Sequence, residues 1–241
     1  MRAATPHKSV TDTIVQDLGA AIVTGRYEGV PFPTEQELSE KYGAARTVTR
    51  EAVKMLVSKG LLSSRRRRGI VIENEDSWNL LDPDVMRWML QREFSLDLLI
   101  EFTEIRLSIE PGAAALAARR ADGDQRAAID HAVRRMFAAD RGEDDPLLSD
   151  IAFHVSVLRA SGNRFYRQHC EMIDTALRFS IRKTNDLKGV RFASAEDHKR
   201  VADAILAGHV REAETRMRDL IGGALDLMQR SRDEERRRDR R

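Results

Sequence analysis

Apolar residues recur at helical spacing from the start of the chain. Val10, Ile14, Leu18, Ala21 and Ile22 line one side of a first helix, and Gly25 is placed to close it in a left-handed conformation. After the turn-rich run from Tyr27 to Pro33, Thr34 and Glu37 form a Thr-x-x-Glu capping box. Leu38 and Tyr42 give a short second helix an apolar side, and Gly43 ends it. A third helix is predicted from about Thr47 to Lys59, with Val48, Ala52, Val53 and Leu56 inward and Gly60 as its stop. Leu61 to Ser64 and Ile70 to Ile72 are strand-like runs on either side of Arg65, Arg66, Arg67, Arg68 and Gly69, which predicts a β-hairpin with a cationic tip.

Residues 73–84 are polar and carry a proline, which reads as an interdomain connection. Everything afterwards reads as helix: 85–99 running into 98–120, then segments near 124–139, 146–160, 164–184 and 194–207. In the last helix Met217, Leu220, Ile221, Ala224, Leu225 and Met228 make an uninterrupted apolar stripe. No strand is expected after residue 75, and no internal repeat is found. The fold class is therefore mainly α. Residues 1–75 are expected to form one domain, 76–84 a linker, 85–230 an all-helical domain, and 231–241 a disordered charged tail.

A chain of 241 residues with 41% hydrophobic content can build two ordinary cores. It has no bilayer-length apolar run and no signal-type block at its start, so a cytoplasmic protein with no membrane partner is expected. Cys170 stands alone in a helical stretch and is assigned no chemistry. The net charge of +2 hides an asymmetry: residues 1–72 carry 12 basic and 7 acidic residues, whereas 73–229 net −6. A basic head on an acidic body suits a head that meets a polyanion.

The order helix, short helix, glycine turn, third helix, basic hairpin is that of a winged helix-turn-helix, whose third helix enters the major groove of DNA. Thr47, Arg50 and Lys54 stand opposite its apolar stripe and Arg46 at its entrance, and Thr49 joins this candidate set. Arginine can fork onto guanine there. Arg65, Arg66, Arg67, Arg68 and Gly69 form a wing suited to a narrow, negative minor groove.

PTEQELSEKYGAARTVTREAVKMLVSKGLL followed by RRRRGIVI resembles the winged-helix signature of the GntR family of bacterial regulators. It departs from that signature at Ala45, where Ser is usual, and at Arg67, where a wing glycine is common. The helical remainder, through EIRLSIEPGAAALAARRA, ASGN and EDHKRVADAIL, resembles the FCD effector domain of the family's fatty-acid-regulator branch. WNLLDPDVMRWML resembles the galactonate-operon repressors within it.

Asp150 and His154 are spaced i, i+4, which puts a carboxylate and an imidazole on one helix face, and His198 on a later helix can complete three ligands. The resemblance implies that these three hold a divalent metal, zinc first. It also implies a further histidine three residues after Met217, where this chain has Leu220. For an effector carboxylate the resemblance points to Arg106, with Arg178 and Asn163 as further candidates. Glu104 or Glu110 are alternative, internal partners for Arg106.

These readings predict a non-enzymatic transcription regulator, a repressor working as a homodimer on a near-palindromic double-stranded operator and released by a small carboxylate such as an aldonate. The competing readings are a metal-dependent hydrolase built on Asp150, His154 and His198 and a purely architectural DNA binder. No HExxH run or phosphate-cradling loop supports the hydrolase.

Overall fold

The computed structural model describes residues 9–66, 69–92, 95–188 and 194–238, with backbone only over 180–188. The chain divides into two compact units, 1–94 and 95–241.

The first unit contains α1 (Val10–Val23), α2 (Glu35–Tyr42), α3 (Arg46–Ser58), an antiparallel hairpin of β1 (Leu62–Arg65) and β2 (Gly69–Ile72), a single 3-10 turn, and α4 (Pro83–Arg92). Its helix ends are chemically specified. Ser9 with Asp12 and Thr34 with Glu37 close capping boxes on α1 and α2. Gly43 ends α2 at φ 59°. Gly60, at φ 78°, also passes so close to the chain that a Cβ would lie 2.1 Å from the Ser77 carbonyl oxygen. The hairpin register runs from Leu62 opposite Ile72 to Arg65 opposite Gly69. The core gathers Ile14, Leu18 and Ile22 of α1, Leu38 of α2, Ala52, Val53 and Leu56 of α3, and Leu61 and Leu62.

Val85 and Trp88 of α4 belong to that same core, so the expected linker at 76–84 and the start of the second domain at 85 are both displaced. Pro83 does not break structure. It occupies the first turn of α4, where its missing N–H has no cost, and Asp82 Oδ1 accepts from the backbone N–H of Asp84 at 2.9 Å and of Val85 at 3.3 Å. Lys59 Nζ then ties α3 to this turn, at 2.8 Å from Asp82 and 2.9 Å from Asp84. Trp88 Nε1 donates to Gln16 of α1 at 3.1 Å.

The second unit is helical throughout its described residues: α5 (Leu96–Arg120), α6 (Gly123–Asp140), α7 (Pro146–Ala160), α8 (Arg164–Gln168), α9 (Cys170–Lys188), α10 (Ala195–Leu206) and α11 (Val210–Arg238). The segment expected as one helix over 164–184 is two, parted at His169. The run across 85–120 is likewise split, with Ser95 capping α5. The charged tail is helical to Arg238 rather than disordered. Arg232 and Arg236, past the apolar stripe of α11, reach Asp97 of α5 at 3.4 and 2.9 Å. α5 and α11 form the most extensive helix pair, with α6, α7, α9 and α10 packed around them. Among the described residues no helix is long and apolar enough to cross a membrane.

Candidate nucleic-acid interface and buried ligand cluster

On α3 the side chains of Arg46, Thr47, Arg50 and Lys54 are exposed together. Arg50 is held by a two-point pair with Glu35 at the start of α2, Nε and Nη2 lying 3.2 and 3.0 Å from Oε2. Arg46 Nη2 donates to Gln36 Oε1 at 3.3 Å, and Lys54 pairs with Glu51 at 2.8 Å. These contacts cost little to exchange for DNA, because exposed pairs are worth at most about 1 kcal/mol. Thr49 does not belong with them. It is fully buried, donates its hydroxyl to the Arg46 carbonyl at 3.0 Å and meets Ser39 Oγ at 3.1 Å, so it braces α3 against α2.

In the hairpin Arg65 and Arg66 are exposed, and Arg65 is steadied by Glu73 at 3.0 Å. Gly69 stands at φ 72°, a conformation a side chain resists, so its place in the wing is to turn the backbone. Arg67 and Arg68 lie outside the described residues.

In the helical unit the three expected ligands converge. Asp150 and His154 of α7 and His198 of α10 are 3%, 3% and 2% exposed, and one ligand atom from each lies within 4.8 Å of the others. His198 Nδ1 donates to the Ser194 carbonyl at 2.7 Å, which turns Nε2 toward Asp150 Oδ2, 3.8 Å away. Burial pushes the His198 pKa down, favouring the neutral ring with a lone pair on Nε2. His154 Nδ1 faces Glu110 Oε2 at 2.5 Å, and its Nε2 lies 3.4 Å from Asp150 Oδ1. Asp150 Oδ1 and His198 Nε2 are buried with no hydrogen-bond partner. A buried carboxylate oxygen and a buried imidazole lone pair that each lack a donor are costly unless a cation satisfies both. The donor set of two imidazole nitrogens and one carboxylate suits a divalent ion such as zinc with an open coordination position. Phe153 packs edge-on against both imidazoles, its ring centroid 5.4 and 5.0 Å from theirs.

Arg106 of α5 is 5% exposed and donates from Nε to Glu110 Oε1 at 2.6 Å, while its Nη2 lies 3.2 Å from His154 Nε2. Glu110 is therefore its internal partner, and Glu104 is exposed. Burial opposes ionisation of Glu110, but the Arg106 charge and the hydrogen bonds from His154 and Arg106 outweigh it and hold the carboxyl at about 2. Arg178 is not part of this cluster. It is exposed and bridges to Asp174 on its own helix at 2.9 Å. Asn163 is spent as the cap of α8, its Oδ1 accepting from Phe165 N–H at 2.9 Å. Cys170 is buried, and burial pushes its thiol pKa up against the pull of Arg159, away from the reactive thiolate. The contacts of Glu110 with His154 and of Ser194 with His198 carry no sequence signal of their own.

The family model "Bacterial regulatory proteins, gntR family" matches residues 10–72, and the FCD domain model matches 101–223. The Escherichia coli galactonate operon transcriptional repressor is 33% identical over 198 residues, covering 81% of this chain and 86% of that protein. A putative L-lactate dehydrogenase operon regulatory protein of Escherichia coli is 30% identical over 213 residues, covering 83% and 79%. Listeria monocytogenes Lar has the same fold at a TM-score of 0.51 and 15% identity, with 94% of this chain and 99% of that one covered. These relatives are transcription regulators rather than enzymes, so the hydrolase alternative is unsupported. The chain belongs to the GntR family of bacterial regulatory proteins, in the group that carries a C-terminal FCD domain.

Proposed function

We propose that the protein is a repressor that binds its operator as a homodimer through α3 and the hairpin wing and releases it when the helical unit takes up a small carboxylate. One short recognition helix spans too few base pairs for useful specificity, which favours two copies on a near-palindrome. In this reading Arg46, Thr47, Arg50 and Lys54 face the major groove, and Arg65 to Arg68 follow the minor groove. Asp150, His154 and His198 hold a divalent ion, with Leu220 leaving the site one histidine short of the fuller family set.

The observation that carries the effector reading is the unpartnered pair Asp150 Oδ1 and His198 Nε2, in a cluster whose third member, His154, meets the guanidinium of Arg106. A bound divalent ion supplies Lewis acidity and an open position for an oxygen ligand. Arg106 supplies a directional cation for a carboxylate. The two relatives above are named for operons of galactonate and of L-lactate dehydrogenase, and galactonate and lactate are both 2-hydroxy acids. A sugar acid of the aldonate type fits both the metal and the arginine.

The test is operator binding with a panel of aldonates, aldarates, simple hydroxy acids and fatty acyl compounds, in the presence of zinc. An aldonate is expected to raise the operator Kd at least tenfold, which needs only about 1.4 kcal/mol of differential binding between the two states. Release by a ligand without a carboxylate, and by no other, refutes the arginine clamp. An operator complex containing a single copy refutes the dimer.

A further inference from the structure

The two oxygens of Glu110 are divided between two different partners. Oε1 accepts from Arg106 Nε at 2.6 Å, and Oε2 meets His154 Nδ1 at 2.5 Å. The side chain is 1% exposed, so neither bond is shared with solvent. We infer that Glu110 is the positioning residue of the metal site, fixing His154 so that Nε2 faces the ion while the same carboxylate holds Arg106 in place for the effector. The inference rests on the metal reading above and extends it to a residue outside the ligand set.

Three features support it. An imidazole offers a metal whichever nitrogen lacks a proton, and an anionic acceptor at Nδ1 commits the proton there. The second histidine is arranged in the same way by a different group, His198 Nδ1 donating to the Ser194 carbonyl at 2.7 Å. Both rings thus turn Nε2 toward Asp150, at 3.4 Å from Oδ1 for His154 and 3.8 Å from Oδ2 for His198, and the ion would replace the 3.2 Å contact that Arg106 Nη2 now makes with His154 Nε2. The third feature is the route of the contact. Glu110 is on α5 and His154 on α7, so the carboxylate ties the helix bearing the arginine to the helix bearing two ligands.

The competing account is that Glu110 only neutralises the buried Arg106. Comparing R106Q with R106Q/E110Q separates the two, because in the R106Q background no buried arginine needs a counter-ion. Zinc affinity is read by competition with a chromophoric chelator, and site geometry by the visible absorption of bound cobalt(II). Going from R106Q to R106Q/E110Q, zinc affinity is expected to fall by about 10- to 100-fold, the usual loss when an outer-shell partner of a ligating histidine is removed. The cobalt bands are expected to shift as well. A merely structural role would leave the cobalt spectrum unmoved.

Equal zinc affinity and identical cobalt spectra in the two variants overturn the inference and leave the metal site standing. A parent protein that takes up neither zinc nor cobalt overturns the metal reading and this inference with it. Should the glutamine pair fail to fold, R106M compared with R106M/E110M makes the same comparison with apolar chains, since well-packed replacement of a buried ion pair is commonly tolerated.

Discussion

Gly19 of α1 faces the ring of Trp88 in α4, and a Cβ there would lie 2.2, 2.4 and 2.5 Å from three ring atoms. The ring has nowhere to withdraw: Trp88 is 1% exposed and its Nε1 is bonded to Gln16. Gly19→Ala therefore sets two effects against each other. Alanine in a helix interior is favoured over glycine by about 0.5–1 kcal/mol. Overpacking a closed core costs roughly 1–3 kcal/mol. With ring atoms this close the clash wins, and G19A should destabilise the first unit by up to about 2.5 kcal/mol, the largest difference of those two terms. In a Trp88→Leu background the clash is gone, and the same substitution should stabilise by about 0.5–1 kcal/mol. Both tryptophans of the chain, Trp78 and Trp88, lie in residues 1–94, so urea denaturation followed by tryptophan fluorescence reports this unit selectively, with Trp78 still present in the W88L series. A stabilising G19A in the parent, or one sign in both backgrounds, would refute the packing of α4 on α1.

Three other outcomes follow from the same contacts. Arg50→Ala should lower affinity for the operator by roughly 1–3 kcal/mol, whereas Arg65→Ala with Arg66→Ala should weaken binding to every sequence and flatten its salt dependence; titrations at several salt concentrations distinguish the two patterns. α3 begins at Ala45 with no side-chain cap, in extended backbone at φ −62°, ψ 147°, so Ala45→Ser should stabilise the first unit by about 1 kcal/mol in the same urea assay. Glu110 has its carboxyl lowered from 4.5 to about 2, so the folded state binds the proton less well than the unfolded chain. Its stabilising contribution is complete above pH 4.5 and lost as pH falls toward 2, and acid unfolding of the parent should show a loss there that R106Q/E110Q lacks.

Local chemistry made most of the first unit legible. The Thr34–Glu37 capping box, the glycine stops and the change of period at Leu61 each name a boundary that packing then respects. Legibility failed where one residue type serves two purposes. Asp82, Pro83 and Asp84 read as loop punctuation, yet the same three residues are a cap, a first-turn proline and an acidic first turn, and only the lysine of α3 reveals which use applies. Thr49 looked available to DNA because its neighbours at 47 and 50 are exposed. Helical geometry carries position 49 round to the α2 side instead, where Ser39 meets it. The tail misled for the opposite reason: its composition is that of a solvated segment, and its contact with Asp97, more than a hundred residues earlier, leaves no local mark in the sequence.

The buried cluster was legible as residue types but not as a charge balance. Arg106, Glu110 and Asp150 leave a net charge of −1 among groups that are each at most 5% exposed. Unpaired charge in such surroundings is among the costliest features a fold can carry. On the proposed reading a divalent ion takes the cluster to +1, and a ligand with one carboxylate brings it to neutrality. An aldonate does this, an aldarate brings one negative charge too many, and a neutral sugar leaves the excess positive charge in place. On that reading burial ranks the effectors before any contact with their hydroxyl groups is considered, and it does so only because Glu110 already offsets the charge of Arg106.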